Sequence, residues 1–189
     1  MKQYLQELLK RRDLMIYLVI SGLKSQNKNS FLGHFWWLLD PLLGTLIYYF
    51  VVVVVFQRGG GPDYGLYLVV GMIVWRSISA TLGTACRSIL SRSGVITQVY
   101  LPKANLPLGA AVTQLINFGF GLVVIALFFV VLRAVPGVTI LWLPYIIIMQ
   151  FCFMAAIALP VAYISVFVRD FEYFVTHLTR LWFFGSPVI

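Results

Sequence analysis

Long charge-free runs alternate along this chain with short polar connections. Residues 41–57 carry no charged side chain, and the same holds for residues 104–132 and 134–168. A helix that crosses a bilayer needs about 20 mainly apolar residues. The pattern therefore predicts five membrane spans, at about 36–56, 65–87, 106–132, 140–167 and 173–189.

The connections between these runs have the composition of turns and loops. Residues 57–63 contain three successive glycines followed by proline, which is typical of a turn. Residues 88–105 form a longer polar and basic loop, whereas 133–138 and 169–172 are short. Asp40-Pro41 lies near the start of the first span, so that helix is expected to begin or bend there.

The first thirty residues have a different pattern. Residues 3–20 place apolar side chains near helical spacing opposite Lys10, Arg11 and Arg12, which predicts an amphipathic helix on the membrane surface. No long apolar segment with a small-residue cleavage site follows Met1, so a signal peptide is not indicated. We expect residues 1–30 to form a cytoplasmic interfacial region and residues 31–189 a transmembrane domain.

Composition strengthens the membrane interpretation. The 189 residues are 61% hydrophobic and only 11% charged, whereas soluble domains have about 45–50% apolar and about 25% charged residues. So little polar surface could not cover a soluble core. A soluble enzyme, a disordered chain and a disulfide-stapled secreted module are thereby excluded. The expected fold is an all-α polytopic membrane helix bundle with an N-terminal amphipathic helix.

The net charge is +8, and the positions of the basic residues along the chain indicate what this charge means. Lysine and arginine are enriched in cytoplasmic loops of membrane proteins. Six of them precede residue 30, and others lie in or beside the loops 88–105 and 169–172. This bias predicts a cytoplasmic N-terminus and disfavours the alternative of nucleic-acid binding.

Residues that could carry chemistry are few. The chain has no phosphate-binding GxxxxGK[ST] motif. His34 and His177 lie far apart and lack companion ligands, so a metal site is not expected. Cys86 and Cys152 lie in apolar stretches and are interpreted as small core residues. We expect neither catalysis nor a bound cofactor in this chain.

Two arginines lie inside predicted spans. Arg76 is about eleven residues into the second span, and Arg180 about seven into the fifth. A central arginine costs about 2.5–3.5 kcal/mol even on the lenient insertion scale, and such residues usually face a cavity or a partner. Arg76 is expected to be buried or to face a lumen. Arg180 either faces a pore or subunit, or extends to the interface.

Aromatic side chains are the other signal inside the spans. Tyr48, Tyr49 and Phe50 lie deep in the first span, and Trp182 and Phe183 in the fifth. Aromatic faces stack on the C–H faces of sugar rings, so a glycan-lining function is one hypothesis. Lipid contact or helix packing is the alternative from composition alone.

Several segments, taken together in order, resemble the permease subunits of ABC exporters for polysaccharides, of the O-antigen and teichoic-acid type. These segments are LKRRDL at 9–14, SFLG at 30–33, WWLLDPL at 36–42, VYLPK at 99–103, LPL at 106–108, VRDF at 168–171 and LWFFGSPVI at 181–189. Residues 18–24 are less basic than the family pattern. The family also continues past SPVI into re-entrant segments and a sixth span, which we expect to be missing from this chain.

The resemblance implies a homodimer with a pore at its interface, bound to two copies of a separate ATPase. ATP and Mg²⁺ would bind that ATPase, and this chain would bind no cofactor. The substrate would be a polysaccharide linked to undecaprenyl pyrophosphate in the bacterial cytoplasmic membrane, among membrane lipids and without nucleic acid.

The resemblance also implies functions for particular residues. Channel contacts would come from the first and fifth spans, through Tyr48, Tyr49, Phe50, Trp182 and Phe183. The entrance gate and head-group contacts would be Lys10, Arg11 and Arg12. ATPase coupling would fall to Val99, Tyr100, Leu101, Pro102 and Lys103.

Three alternatives stay open. An ABC exporter of drugs or small lipids would have an enclosed apolar cavity in place of a wide aromatic pore. An ATP-independent flippase should carry coupling carboxylates within its spans, and none is evident. An integral membrane glycosyltransferase should offer an acidic pair or a basic cluster in one loop.

Overall fold

The computed structural model describes residues 12–26, 35–55, 57, 62–92, 103–131, 133, 137–168 and 170–186. Within these ranges the chain is an all-α bundle without strands, which confirms the predicted fold class. We number the helices in chain order as α1 (Arg12–Gln26), α2 (Trp36–Tyr49), α3 (Pro62–Ser88), α4 (Asn105–Val131), α5 (Leu143–Phe167) and α6 (Phe171–Phe184).

Three helical segments are long and apolar enough to cross a membrane by themselves: Tyr64–Ser88, Ile140–Phe167 and Asn105–Val131. Together with the exposed apolar side chains that cover much of the bundle, they make this a multi-pass membrane protein. The apolar helix starting at Trp36 is shorter, and α6 has 14 residues. The predicted count of five spans therefore stays a prediction.

Prolines mark several helix starts, for a common reason. The first four N–H groups of a helix have no partner within it, so a proline there loses no hydrogen bond. Pro62 opens α3 and Pro107 is the third residue of α4. Pro144 follows the first residue of α5, after a 3₁₀ turn at Val138–Trp142. The predicted span 140–167 thus begins as a tighter helix.

The C-terminal end of α2 changes its winding. Residues Phe50–Val55 continue the helix as a π-helix, and Gln57 beyond it has a positive φ of 49°. Pro41 does not start the helix, which begins at Trp36 and includes Pro41 in its second turn. The hydroxyl group of Thr45 donates a hydrogen bond to the carbonyl oxygen of Pro41, with 2.8 Å between the two oxygens.

Helix α3 is the centre of the bundle, because it packs against α2, α4, α5 and α6. Val69 and Ile73 of α3 meet Phe118 and Val124 of α4 in one buried cluster. A second cluster joins the other end of α3 to α6 through Cys86 and Val175, with Leu82. Different side chains of α3 therefore contact almost every other helix.

Small side chains set the closest helix approaches. Ala85 of α3 and Ala158 and Ala162 of α5 are fully buried against one another. Gly121 of α4 leaves room for Ile73 of α3. Close packing through small residues is common between membrane helices, where burial of apolar surface gives no driving force.

The N-terminal helix lies on the bundle. Helix α1 packs against α4, where Leu18 lies over Gly109 and Gly22 over Thr113. Its other face is exposed and apolar, with Ile16 and Tyr17 open. The helix continues to Gln26, six residues beyond the predicted end at residue 20.

Candidate functional site

An ion pair lies in the middle of the bundle. Arg76 of α3 donates from Nη2 to Oδ2 of Asp40 on α2 at 2.7 Å. Both side chains are about half exposed, at 50% and 47%. Arg76 is twelve residues from each end of the span Tyr64–Ser88, about 18 Å at 1.5 Å per residue. The arginine expected to be buried or lumenal is therefore half exposed, and it has an acidic partner.

A polar cavity of about 290 Å³ surrounds this pair. We name it the central cavity. Its other polar lining residues are Ser77 of α3 and Gln114 and Asn117 of α4. Gln114 is 5% exposed, and its Oε1 accepts a hydrogen bond from Nδ2 of Asn117 at 3.0 Å. Charged, amide and hydroxyl groups thus converge at the middle of an apolar bundle.

Trp36 and Trp37 line the same cavity. The Trp37 ring lies 4.8 Å from that of Phe120, centroid to centroid. The structure thus places both tryptophans in the lining of the cavity that contains the ion pair. Hydrogen-bonding groups next to aromatic faces form a surface suited to polar ligands that carry C–H faces.

An aromatic cluster joins three helices beside this cavity. The ring of Trp75, on α3, lies 5.5 Å from that of Phe183 and 5.8 Å from that of Trp182, both on α6. Tyr48 of α2 lies edge-on to Phe183 at 5.4 Å. Three of the five residues proposed as channel contacts thus lie in one cluster with Trp75, which the sequence analysis did not assign to the site.

The members of this cluster differ in exposure. Phe183 is 5% exposed and lies at its centre, whereas Trp182 is 47% exposed. Tyr49 and Phe50 are exposed and make no ring contact among the described residues. Within one chain, Tyr48 and Trp182 are the channel candidates that combine cluster contacts with accessible surface.

A second cavity, of about 430 Å³, runs between α2 and α3. Tyr48, Trp75, Arg76 and Ser79 line it, and we name it the aromatic-side cavity. It connects the aromatic cluster with the ion pair, because Trp75 and Arg76 are neighbours in the sequence and both face it.

A third cavity, of about 550 Å³, lies at the Ser88 end of α3. We name it the basic-end cavity, since Arg87 and Arg92 line it with Glu172. Nε of Arg87 donates to Oε1 of Glu172 at 2.6 Å and so ties α3 to the start of α6. Arg92 has no ion-pair partner in the part of the chain that the structure describes.

Most of the predicted gate and coupling residues lie outside the described ranges. Lys10 and Arg11 lie outside them, as do residues 99–102; Arg12 begins α1, but its side chain is not described. Lys103 is exposed in the turn before α4. Its carbonyl oxygen accepts a hydrogen bond from the backbone N–H of Leu106 at 3.4 Å. These assignments stay predictions.

Asn105 is a residue that sequence analysis missed. It is the first residue of α4, directly after the predicted coupling segment, and it is fully buried. Neither its amide oxygen nor its amide nitrogen has a hydrogen-bond partner among the described residues. Buried polar groups are nearly always paired, so this amide is an exception in the described part of the bundle.

The remaining candidates are more dispersed. Arg180 is exposed and makes no hydrogen bond or ion pair with any described residue. Among the described residues no three of His, Cys, Asp and Glu are grouped as metal ligands. Cys86 is buried and Cys152 exposed, and both are free thiols. Asp40 and Glu172 each pair with a different arginine, so they do not form a carboxylate pair.

Comparison with known proteins gives consistent relatives, although no family model matches the chain. It is 32% identical to the O-antigen export system permease protein RfbA of Myxococcus xanthus over all 189 residues, which cover 72% of that protein. Two RfbA permeases of Klebsiella pneumoniae are 28% and 29% identical over 178 residues, which cover 94% of this chain and 68% of each relative. These relatives confirm the resemblance seen in the sequence: the chain belongs to the O-antigen export permeases, the membrane subunits of ABC transporters.

Proposed function

We propose that this chain is the membrane subunit of an ATP-driven exporter that moves a lipid-linked polysaccharide across the bacterial cytoplasmic membrane. The polysaccharide is of the O-antigen or teichoic-acid type, carried on undecaprenyl pyrophosphate. The single observation that carries the proposal is the 32% identity with an O-antigen export permease over the whole length of this chain. The mid-bundle polar cavity and the adjoining aromatic cluster agree with a saccharide cargo.

The proposed transport unit is a homodimer with a pore between the copies. Helices α2 and α6 line the pore and present Tyr48, Tyr49, Phe50 and Trp182, while Phe183 supports Tyr48 from behind. The half-exposed ring of Trp182 provides a flat apolar surface to a passing sugar. Stacking of this kind tolerates many sugars, because it depends on shape and not on a fixed set of hydrogen bonds.

Energy comes from a separate partner in this proposal. Two ATPase copies bind ATP and Mg²⁺ on the cytoplasmic side and close on nucleotide binding. Residues 88–105 dock on the ATPase through Val99–Lys103 and transmit the closure as a rigid-body movement of the helices. The basic residues Lys10, Arg11 and Arg12 lie at the cytoplasmic gate and attract the anionic pyrophosphate head group.

The first experiment is affinity purification of the full-length protein from its native membranes, followed by mass spectrometry. A P-loop ATPase in stoichiometric amount is expected. Deletion of the gene should remove polysaccharide from the cell surface, with lipid-linked polymer accumulating inside. Export that continues without any ATPase would overturn the proposal in favour of an ATP-independent flippase.

Two charge-reversal variants test whether residues 99–103 couple this chain to the ATPase. Lys103→Glu changes an exposed charge beside the proposed docking segment, and Arg133→Glu changes an exposed charge in a different turn. Lys103→Glu should weaken co-purification of the ATPase at least tenfold, whereas Arg133→Glu should not. Equal retention of the ATPase by both variants would contradict coupling through this loop.

A further inference from the structure

The three cavities meet at one small side chain. Ala80 of α3 lines the central, aromatic-side and basic-end cavities alike. Gln114 is shared by the central and basic-end cavities, and Arg76 by the central and aromatic-side cavities. The cavities are therefore neighbours along one face of α3, with a methyl group at their junction.

This face of α3 is polar along much of its length. It begins with Trp75 and Arg76, continues through Ser77 and Ser79, and ends at Thr84 and Arg87. Such a polar stripe in a helix of a membrane bundle does not face lipid, because charged and polar side chains there usually face the protein interior or a water-filled space. The stripe indicates a hydrated path along the helix.

The ion pair gives the strongest reason for water in this path. Arg76 and Asp40 are half exposed at the centre of a span, where contact with lipid tails would be costly. The pair carries no net charge, so it does not select an anion such as a phosphate. With Gln114 and Ser77 it offers donors and acceptors suited to neutral hydroxyl groups.

The sizes of the cavities also suit such a ligand. The central cavity of about 290 Å³ equals the volume of about ten water molecules at ~30 Å³ each, enough for a single sugar ring. The other two cavities are larger, at about 430 and 550 Å³. Aromatic rings border the series at Trp36 and Trp75.

We propose that the three cavities form one saccharide-binding groove along α3, with Ala80 at its junction and the Asp40–Arg76 pair as its central hydrogen-bonding site. The proposal rests on the proposed function and deepens it, since it places a stretch of the exported glycan on the second predicted span. The expected channel helices, the first and fifth spans, contribute to this groove through Tyr48 and Thr176.

The groove can be tested by closing it after the protein has folded. Ala80→Cys is introduced together with Cys152→Ser, which removes the exposed native thiol; Cys86 stays because it is buried. Membranes containing the transporter are treated with methanethiosulfonates of increasing size. Export by the same chain is compared before and after treatment. We expect rapid labelling, protection by the soluble saccharide repeat unit, and at least tenfold loss of export with the largest reagent.

Ala156→Cys in the same background is the control, because Ala156 is exposed on α5 and lines none of the three cavities. Its modification should leave export unchanged. A thiol at position 80 that labels as slowly as Cys86 overturns the groove, and so does full labelling without loss of export. The labelling rate is measured without any export assay. Absence of polysaccharide export by the unsubstituted chain would instead count against the proposed function.

A pair of bulky substitutions gives an independent measurement. Ala80→Trp should abolish export while Ala156→Trp does not, with both variants still assembled with the ATPase. If Ala80→Trp prevents assembly, Ala80→Leu is used, and partial loss of export is expected. Normal export by an assembled Ala80→Trp transporter would contradict the groove.

Discussion

Gly121 should be a position where one added methyl group separates α3 from α4. A Cβ atom at this glycine would lie 2.5 Å from Cγ2 of Ile73. Ile73 is 3% exposed and belongs to the main buried cluster. Ile73 also borders the central and aromatic-side cavities, so its side chain can relieve part of the contact only by turning toward them. Gly121→Ala should force the two helices apart or rotate Ile73 away from its preferred rotamer.

The size of the effect follows from the geometry. Non-bonded carbon atoms rest at about 3.5–4.0 Å, so the contact is short by about 1 Å. Overpacking a tight core by one methyl group costs typically about 1–3 kcal/mol. Alanine also gains about 1 kcal/mol over glycine in a helix interior, and this gain partly hides the steric cost in a single variant.

Gly119, on the same helix, provides the control that removes this complication. It is exposed, and a Cβ atom there would meet nothing within 4 Å. Gly119→Ala gains the higher helix propensity of alanine without the steric clash. The difference between the two variants is therefore the steric cost alone, about 1–3 kcal/mol. For a chain of this length that corresponds to about 2–4 °C in Tm per kcal/mol.

The measurement is thermal unfolding of both variants in the same detergent, followed by the intrinsic fluorescence of the tryptophans. Gly121→Ala should melt below Gly119→Ala. Adding Ile73→Ala to Gly121→Ala should remove the clash, so the double variant should show a favourable coupling energy. Equal Tm values for the two glycine variants would refute the reasoning and show that α3 and α4 are not in contact at this level.

Further outcomes follow from the ion pairs and the alanine contact. Asp40→Asn alone should cost about 1 kcal/mol, because the Arg76 that it leaves without an acidic partner is half exposed. Adding Arg76→Gln should recover part of that loss in a double-mutant cycle; additive losses would mean that the pair does not interact. Ala158→Leu should destabilise the protein by about 1–3 kcal/mol, whereas Ala156→Leu, at an exposed position, should cost less than about 0.5 kcal/mol. Unfolding in detergent measures both losses, and similar values would contradict the α3–α5 contact. Arg87→Gln should cost under about 1 kcal/mol and only at low salt; a large, salt-independent loss would show a buried pair.

The helices themselves could be predicted from the sequence because a bilayer imposes one simple requirement, an apolar run of fixed length. The predicted span 65–87 lies inside α3, and 106–132 almost coincides with α4. The predicted positions of the helix ends were less accurate, because local backbone geometry decides where a helix begins and ends. Pattern alone could not show that residues 138–142 wind as a 3₁₀ helix, or that Phe50–Val55 wind as a π-helix.

The candidate site was predictable in its residue types and not in its partners. Arg76 was recognised as costly, which correctly indicated that something must compensate it. The chain has six acidic residues, yet their positions gave no direct measure of which one lies at the depth of Arg76. Asp40 was assigned to a membrane boundary, because the depth at which α2 begins depends on its packing against α3 and α4.

The aromatic cluster shows the same limit. Tyr48, Trp182 and Phe183 were selected for their depth in separate spans, and no one-dimensional pattern relates α2 to α6. In the structure Phe183 contacts both Tyr48 and Trp75, and Trp182 contacts Trp75, so the cluster depends on how α2, α3 and α6 pack together. Contacts between non-consecutive helices need the three-dimensional packing, which depends on small residues such as Ala85 and Gly121.

The neutrality of the Asp40–Arg76 pair has an electrical consequence. A single charge moved across the membrane exchanges about 2.3 kcal/mol with the field for each 100 mV. Two opposite charges 2.7 Å apart sample at most about one-tenth of a ~30 Å bilayer, so reorienting the pair exchanges only about 0.2 kcal/mol at that voltage. Rearrangements of α2 and α3 as a unit should therefore carry almost no gating charge. Among the described charged residues of the predicted spans, Arg180 has no acidic partner, so we expect a transmembrane voltage to act on its unbalanced charge.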